Sequence, residues 1–452
     1  MRQLPRLPNY NDYVHRLYPD VQDRSLVREV TFQITNRCNL CCDYCYEHHK
    51  GSEVMSLDTG KSIVDMLIQM WLDDKPGAFI NRATKTIILD FIGGEPLLEP
   101  ELIGDICEYF FKRCVQTGCK LSSGARISIS TNGQNYFEPQ VQAFIRRYAP
   151  FLSLNVSIDG HKALHDAHRV DAAGNGSFDK ALKAYHAAAR FGGKQTKMTF
   201  VPSSFPQISE AILFMLQQNP DFIAANYAYE PIYTPQDASV LYDQLKIVAD
   251  HLIETRRVIA CSILDHNIGY PVQKQDDKNY CGGSGNMLAF DPQGRAYPCL
   301  RYCPISIGEE KASKICIGDM KGIYNTPHTL KIRDYLDAIT LSSQSTSECI
   351  NCPVAVGCGW CSAYNYESTG DVNKRVTNIC WAHKGRVLAS CYYHNRRYLE
   401  VGDTEPKDIR LSEKDALQII SRQEWQMLNQ MADFAAKEYR MQGGVNNGIQ
   451  GT

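Results

Sequence analysis

Four cysteines lie within eight residues of one short stretch, directly behind a segment with strand character. Residues 30–34 alternate apolar and polar side chains, which predicts a β-strand. Cys38, Cys42 and Cys45 follow it with the spacing C-x3-C-x2-C. Three thiolates on one loop can hold three irons of a [4Fe-4S] cube, because soft sulfur ligands suit iron–sulfur clusters. The fourth iron of such a cube would be open to a small-molecule ligand.

The same stretch permits two other arrangements. Cys41 gives the alternative spacing C-x2-C-x3-C. Three cysteines with Cys41, His48 or His49 would also make a tetrahedral zinc site. The local spacing leaves both alternatives open.

Composition narrows the class of protein. The chain of 452 residues is longer than one average domain, and its net charge of -2 predicts no nucleic-acid partner. No apolar run reaches the roughly 18 residues that span a bilayer, so we expect no membrane partner. Eighteen cysteines without a secretory segment indicate metal ligation rather than a disulfide framework. We therefore expect a cytoplasmic metalloprotein.

The first half of the chain alternates predicted strands with predicted helices. The strands are expected at residues 30–34, 86–92, 126–130, 152–158, 197–201 and 222–227. The helices are expected after an N-cap at Asp58 and at residues 139–148, 178–191 and 237–256. This alternation predicts an α/β fold with a parallel sheet and right-handed crossovers. It does not by itself distinguish a partial barrel from a doubly wound sheet.

The cysteine spacing, with Tyr44 just before the last cysteine, resembles the radical S-adenosylmethionine (SAM) enzymes. The resemblance implies a partial (β/α)6 TIM-like barrel. It also implies that the amino and carboxylate groups of SAM bind the open iron of the cube. One electron from the cluster would then release a 5'-deoxyadenosyl radical, which abstracts a hydrogen atom from the substrate.

Several polar or glycine-rich strand ends are candidates for binding SAM, because ligands gather at the carboxyl ends of parallel strands. Gly93-Gly94-Glu95-Pro96 resembles the GGEP motif of the family, and a carboxylate suits the ammonium group of methionine. Each strand end could equally be an ordinary turn, and Arg169 could be a surface arginine paired with Asp166. The resemblance implies these cofactor-binding residues: Tyr44, Gly93, Gly94, Glu95, Ser130, Asn132, Ser157 and Arg169.

The second half is rich in cysteine. In isolation, the paired C-x2-C motifs would favour a zinc ribbon. Behind a radical SAM core they resemble the SPASM domain, which usually holds two auxiliary [4Fe-4S] clusters. The resemblance assigns one cluster to Cys281, Cys299 and Cys361, and the other to Cys349, Cys352, Cys358 and Cys380. The fourth ligand of the first cluster would be Cys303, Cys316 or an open position.

The domains expected from these features are an N-terminal arm at 1–26, a radical SAM partial barrel at 27–256, a SPASM-type iron–sulfur domain at 257–400, and a C-terminal helix with a disordered tail at 401–452. Helical periodicity at residues 411–441 supports the last helix. The five remaining cysteines are expected to pack as small apolar residues: Cys107, Cys114, Cys119, Cys261 and Cys391.

Most of the chain, roughly residues 27–400, resembles the peptide maturases that act on targets with repeated Cys-x3 units. Residues 93–99 (GGEPLLE), 281–302 and 343–366 carry the likeness. It implies a ribosomally made peptide as partner, thioether formation, three [4Fe-4S] clusters with SAM, and an electron donor such as flavodoxin or ferredoxin. Anaerobic sulfatase maturases, which make formylglycine, generally carry an Asp where Leu300 stands here. A zinc-stabilised peptide-binding protein is the non-enzymatic alternative.

Overall fold

The computed structural model describes residues 26–442 apart from Gly77, Gly192, 265–268, Tyr280 and 323–325. The expected N-terminal arm and the expected tail fall almost wholly on residues 1–25 and 443–452, which lie outside the described part. Within it, no helix is both long and apolar enough to cross a membrane.

The first half alternates strands and helices, as the sequence predicts. The strands are β1 (Glu29–Thr35), β2 (Ile88–Gly93), β3 (Arg126–Thr131), β4 (Leu152–Val156), β5 (Met198–Phe200), β6 (Phe222–Ile223), β7 (Ala225–Tyr227) and β8 (Ala260–Cys261). The helices are α1 (Leu57–Asp73), α2 (Pro100–Thr117), α3 (Pro139–Tyr148), α4 (Lys162–His168), α5 (Phe178–Ala188), α6 (Ile208–Gln217) and α7 (Pro235–Glu254).

Strands β1 to β4 pair in parallel and in chain order, which is the expected α/β architecture. Strands β5 and β7 form a second parallel pair, and β6 and β8 a third. One strand was expected at residues 222–227, but it divides at Ala224. The Ala224 backbone bonds with the Thr196 hydroxyl, so the segments on either side pair with different strands.

The strands separate an apolar outer layer from a polar interior. Val30, Phe32 and Ile34 of β1 are fully buried, and the ring of Phe32 stacks on Phe91 of β2 with centroids 5.2 Å apart. Alternate residues of the same strands are polar, such as Thr31, whose hydroxyl donates to Asp90 over 3.3 Å. Because side chains alternate across a strand, the helices cover the apolar face and the polar side chains lie on the other face.

Two boundaries differ from the sequence predictions. Helix α1 is capped by Ser56, whose hydroxyl accepts a 3.0 Å bond from the Thr59 N–H, and not by Asp58. Asp58 lies in the first turn, where a carboxylate favours the helix dipole. The helix expected at 411–441 is two helices, because Ser421 caps a new helix within it.

The second half consists mostly of short elements. Its strands are β9 (Met287–Phe290), β10 (Arg295–Tyr297) and β11 (Gly318–Asp319). Its helices are α8 (Pro304–Ile307), α9 (Glu309–Ile315), α10 (Pro327–Asp337), α11 (Leu341–Gln344), α12 (Ser347–Ile350), α13 (Ser362–Thr369), α14 (Cys380–Glu400), α15 (Glu413–Ala416) and α16 (Arg422–Met441).

Residues 291–294 form a hairpin turn, with β9 and β10 antiparallel. Strand β9 also pairs in parallel with β1, which no local sequence pattern indicates. The result is one seven-stranded sheet in the order β11-β10-β9-β1-β2-β3-β4. The cysteine-rich segment therefore shares a sheet with the barrel strands.

Candidate functional site

The cysteine loop, residues 36–46, lies at the carboxyl end of β1. Its backbone is held by the segment after α4, with the Cys41 N–H donating to the Val170 carbonyl over 2.7 Å. Cys38, Cys42 and Cys45 are partly buried, whereas Cys41 is exposed. The structure therefore separates Cys41 from the three cysteines of the C-x3-C-x2-C pattern.

Lys50 lies beside the three thiols and was missed by the sequence reasoning. Burial raises the pKa of each thiol, to about 12 for Cys38, and Lys50 opposes this rise at all three. The Lys50 ammonium also donates to the Leu40 carbonyl over 3.0 Å, within the loop itself. Arg169 also opposes the rise at Cys42. Three soft thiol ligands beside these cations suit an anionic iron–sulfur cluster, since metal binding deprotonates each ligand.

The Gly93-Gly94 pair lies directly against the cysteine loop. A β-carbon at Gly93 would come within 2.1 Å of the Thr35 carbonyl oxygen, and φ of Gly93 is +145°. A β-carbon at Gly94 would come within 2.2 Å of the Arg37 carbonyl oxygen and 2.9 Å of the Cys38 β-carbon. Only glycine permits this approach of the β2 end to the loop.

Glu95 follows the glycines and is fully buried. Its carboxylate accepts bonds from the Thr131 hydroxyl (2.7 Å), the Asn132 N–H (2.8 Å) and the Leu97 N–H (3.1 Å). The Asn132 amide in turn donates to Asn39 in the cysteine loop over 2.7 Å. Glu95 thus joins the ends of β2 and β3 beneath the loop, and its contact with SAM stays a prediction.

Arg169 is buried, which excludes the surface location that the alternative interpretation gave it. Its guanidinium donates to the two carboxylate oxygens of Asp159 over 2.6 and 3.2 Å. It does not pair with Asp166, which instead lies 2.9 Å from the Lys162 ammonium. Arg169 also lies over the Tyr44 ring, 5.3 Å from its centroid, and Tyr44 donates a hydrogen bond to Asp159.

Ser157 and Ser130 lie in the same region. Ser157 is buried just after β4, and its N–H donates to the Thr131 carbonyl over 2.9 Å. Ser130 is partly exposed on β3. The structure therefore brings all eight predicted cofactor-binding residues to the strand ends around the cysteine loop, and their roles stay predictions.

Lys197, just before β5, is a further charged group that the sequence reasoning did not single out. Its side chain retains contact with solvent, although the surrounding protein is dense enough to affect its pKa. Burial and the charge of Arg169 lower its pKa, while Asp90, Glu47 and Glu95 oppose this shift. Cations and carboxylates therefore lie close together in this part of the barrel.

Cys281, Cys299 and Cys361 come together, and we call them the first auxiliary site. Burial raises the pKa of Cys299, and the two other thiols raise it further. Tyr302 donates to Ser362 over 2.9 Å, and Ser362 lies 3.0 Å from the Cys281 sulfur. Cys303 is fully buried, and Cys316 lies 3.2 Å from the Gly318 carbonyl oxygen.

The second auxiliary site consists of Cys349, Cys352, Cys358 and Cys380. The pKa of Cys380 is raised to about 11, mainly by burial; the three other thiols add to the rise and Lys384 opposes it. Arg375 and Arg386 likewise oppose the rise at Cys358. Four thiols beside three cations match the ligand set of a closed anionic cluster.

Among the described residues, no three His, Cys, Asp or Glu side chains are grouped as they would be around a single metal ion. The five cysteines expected to be apolar packing residues are all buried.

Comparison with known proteins supports the family that the cysteine spacing resembles. The model of the radical SAM superfamily matches residues 32–205. An uncharacterised protein of Methanocaldococcus jannaschii is 36% identical over 318 residues, which cover 68% of this chain and 97% of the relative. The serine-type anaerobic sulfatase-maturating enzyme of Bacteroides thetaiotaomicron is 28% identical over 168 residues, but the match covers only 36% of this chain and 37% of that enzyme.

One solved structure shows the same fold over most of the chain. Native anSMEcpe with bound AdoMet and Kp18Cys peptide superposes with a TM-score of 0.59 and 18% identity, covering 83% of this chain and 99% of that one. The cysteine loop, the glycine pair packed against it and the matching family model lead to one assignment. This chain belongs to the radical SAM superfamily.

Proposed function

We propose that this protein modifies a ribosomally made peptide by forming thioethers between cysteine sulfur and peptide carbon. In this proposal Cys38, Cys42 and Cys45 hold the cube that binds SAM. The two auxiliary sites hold one [4Fe-4S] cluster each, which makes three in all. The residues proposed to bind SAM are Tyr44, Gly93, Gly94, Glu95, Ser130, Asn132, Ser157 and Arg169.

The proposal depends chiefly on the first auxiliary site. This site offers three thiols, whereas Cys303, although near Cys299, is fully buried. Cys316 bonds to Gly318. A site with three protein thiolates leaves one position for a substrate thiolate, which coordination would keep deprotonated.

Bound SAM and a reduced cluster would supply the hydrogen-abstracting radical of the family. The chain itself must position the peptide and exclude water. The aromatic side chains of Tyr46, Tyr229 and Tyr364 line the region between the cysteine loop and the first auxiliary site, where Arg301 lies 4.5 Å from the Tyr46 ring centroid. This region is where we place the peptide.

Peptide binding is supported by the fold shared with anSMEcpe, whose structure holds a peptide. We further propose a flavodoxin or ferredoxin as the electron donor and the cytoplasm as the location.

Formylglycine formation is the second candidate function. The likeness to a sulfatase-maturating enzyme favours it, although that likeness covers about a third of each chain. Against it stands Leu300, a buried apolar residue at the position where such maturases generally carry an Asp.

The test uses anaerobic full-length protein, SAM, a reductant and the cysteine-containing peptide encoded beside the gene. A thioether product loses two hydrogens per cross-link, and its cysteine no longer reacts with iodoacetamide. A formylglycine product instead reacts with hydrazine reagents. If 5'-deoxyadenosine forms but the peptide is unchanged, both proposals are wrong for this peptide. If iron is absent and zinc is present, the enzymatic proposal as a whole is wrong.

A further inference from the structure

A cluster of charged and aromatic side chains joins the cysteine loop to the first auxiliary site. We call it the Arg301 cluster, and its members are Tyr46, Glu230, Arg301, Tyr364 and Glu367. The Arg301 guanidinium lies between the rings of Tyr46 and Tyr364, 4.5 and 5.7 Å from their centroids. It also donates to Glu230 and lies 3.5 Å from Glu367.

The cluster borders both proposed reaction partners. Tyr46 directly follows Cys45 of the cysteine loop, while Glu367 lies on α13, the helix that begins just after Cys361. The charge of Arg301 lowers the otherwise raised pKa of Cys361, so the guanidinium is close to the first auxiliary site. The cluster therefore contacts the chain next to both sites.

Two groups of the cluster are unsatisfied. The Oε2 atom of Glu367 and the Nε–H of Arg301 are buried and have no hydrogen-bond partner in the described part of the chain, although Oε2 lies 3.5 Å from Arg301 Nη2 in an ion pair. Buried polar groups are normally hydrogen-bonded. An acceptor and a donor that both lack a hydrogen bond therefore suit a substrate group that can donate to one and accept from the other. A cysteine thiol offers a proton to the carboxylate and, once ionised, a sulfur acceptor to the guanidinium.

Glu367 has the environment of a proton acceptor. Burial raises its pKa above the ordinary value, Arg301, His48 and Lys311 oppose the rise, and Glu230 adds to it. On the outer side, Nε2 of His48 lies 3.8 Å from Glu367 Oε1, and 43% of the His48 side chain is exposed to solvent. The separation of 3.8 Å is longer than a hydrogen bond, so a proton would pass from the carboxyl group to the imidazole through one bridging water.

We propose that Glu367 accepts the proton of the substrate cysteine thiol at the first auxiliary site and releases it to solvent through His48. In this step the S–H bond breaks, the electron pair stays on sulfur, and the proton moves to Oε2 of Glu367. Rotation of the carboxyl group then turns the protonated oxygen towards His48, whose Nε2 takes the proton through one water and releases it to solvent. Leu300 cannot take that role, because its side chain carries no ionisable group. The inference rests on the proposed function, but thiol deprotonation is required for thioether and formylglycine products alike.

The test compares full-length wild type with Glu367→Gln, Glu367→Asp and the matched control Glu310→Gln, which removes an exposed carboxylate from the same part of the chain. For Glu367→Gln we expect the peptide Kd, measured by fluorescence anisotropy, to stay within about twofold. Product formation should fall about 100-fold, since general acid–base catalysis contributes 10²–10⁴-fold. Glu367→Asp should restore part of the rate, and Glu310→Gln should behave as wild type.

A second readout needs no turnover. Without SAM or reductant, iodoacetamide should alkylate the bound peptide's cysteine more slowly in Glu367→Gln than in wild type, because alkylation requires the thiolate. His48→Gln should slow product formation several-fold, and imidazole buffer should restore it.

Product formation within threefold of wild type in Glu367→Gln would overturn the proposal. So would a loss explained wholly by a weaker peptide Kd or a lower melting temperature. If wild type makes no thioether from the peptide, the proposed function fails instead, and the alkylation rates still report on Glu367.

Discussion

Arg169 and Asp159 form a two-point ion pair inside the protein, with guanidinium Nε and Nη2 2.6 and 3.2 Å from the two carboxylate oxygens. The pair fixes the segment after α4 against the end of β4. Because the same segment holds the Cys41 backbone, the pair also supports the cysteine loop.

Removing one partner of this pair should destabilise the fold. Arg169→Met leaves the Asp159 carboxylate buried without its cation, which costs about 3–5 kcal/mol in comparable cases. Urea unfolding followed by circular dichroism measures the loss. Lys162→Met is the matched control, because Lys162 pairs with Asp166 at the surface and its loss should change the unfolding midpoint little. Equal midpoints for the two variants would contradict the assignment.

The ion pair between Arg169 and Asp159 also predicts how the free energy of unfolding changes at acidic pH. Burial alone would raise the pKa of Asp159, but Arg169 lowers it below the ordinary value of 3.8. A depressed pKa in the folded state means that the stabilisation is present above about pH 4 and is lost as the pH falls through the folded pKa. The free energy of unfolding of wild type should therefore fall more steeply below pH 4 than that of Asp159→Asn. Urea unfolding from pH 3 to 7 provides the measurement.

Mutants should distinguish the three proposed cluster ligands, Cys38, Cys42 and Cys45, from Cys41. Replacing Cys38, Cys42 and Cys45 together by Ala removes three ligands, so we expect iron content to fall by about one cube and 5'-deoxyadenosine formation to stop. Cys41→Ser should retain both, because the Cys41 side chain is exposed and away from the other three thiols. A loss of iron in Cys41→Ser would favour the C-x2-C-x3-C spacing instead.

Gly94→Ala should displace the cysteine loop. The new methyl group would meet the Arg37 carbonyl oxygen at 2.2 Å, a distance that forces the backbone to shift. Overpacking of this kind costs about 1–3 kcal/mol, and we expect weaker iron binding at the first site as well. Gly322→Ala is the control, since a β-carbon there has no neighbour within 4 Å. Thermal unfolding and iron analysis should show no change for the control.

The fourth position of the first auxiliary site can be tested directly. Cys303→Ala and Cys316→Ser should leave the iron content unchanged at about twelve atoms per chain, four for each cube. Cys361→Ala should lower it by about four. Loss of iron in Cys303→Ala without a change in melting temperature would identify Cys303 as a ligand and close the position proposed for the substrate.

The sequence was sufficient to predict the parallel strands β1 to β4, since they follow local patterns. The local spacing did not distinguish Cys41 from Cys42, and only the family resemblance favoured Cys42. The sequence interpretation paired Arg169 with Asp166 as the alternative, because Asp166 is only three residues away. The real partner, Asp159, lies in a segment that reads as a common Asp-Gly turn. Lys50 and Glu367 gave no local signal, because their importance arises from chain segments that meet only after folding. The domain limits stay predictions.

Strand β9 occupies the edge of β1 that would otherwise be unpaired. A fragment that ends at residue 256 would leave that edge bare, and bare strand edges recruit other chains. Expression of the isolated barrel should therefore give aggregates rather than a minimal enzyme. The pairing of β9 with β1 also fixes the distance between Cys299, which follows β10, and the cysteine loop, which follows β1. Electrons that pass between clusters at these two places would therefore cross a distance determined by the shared sheet.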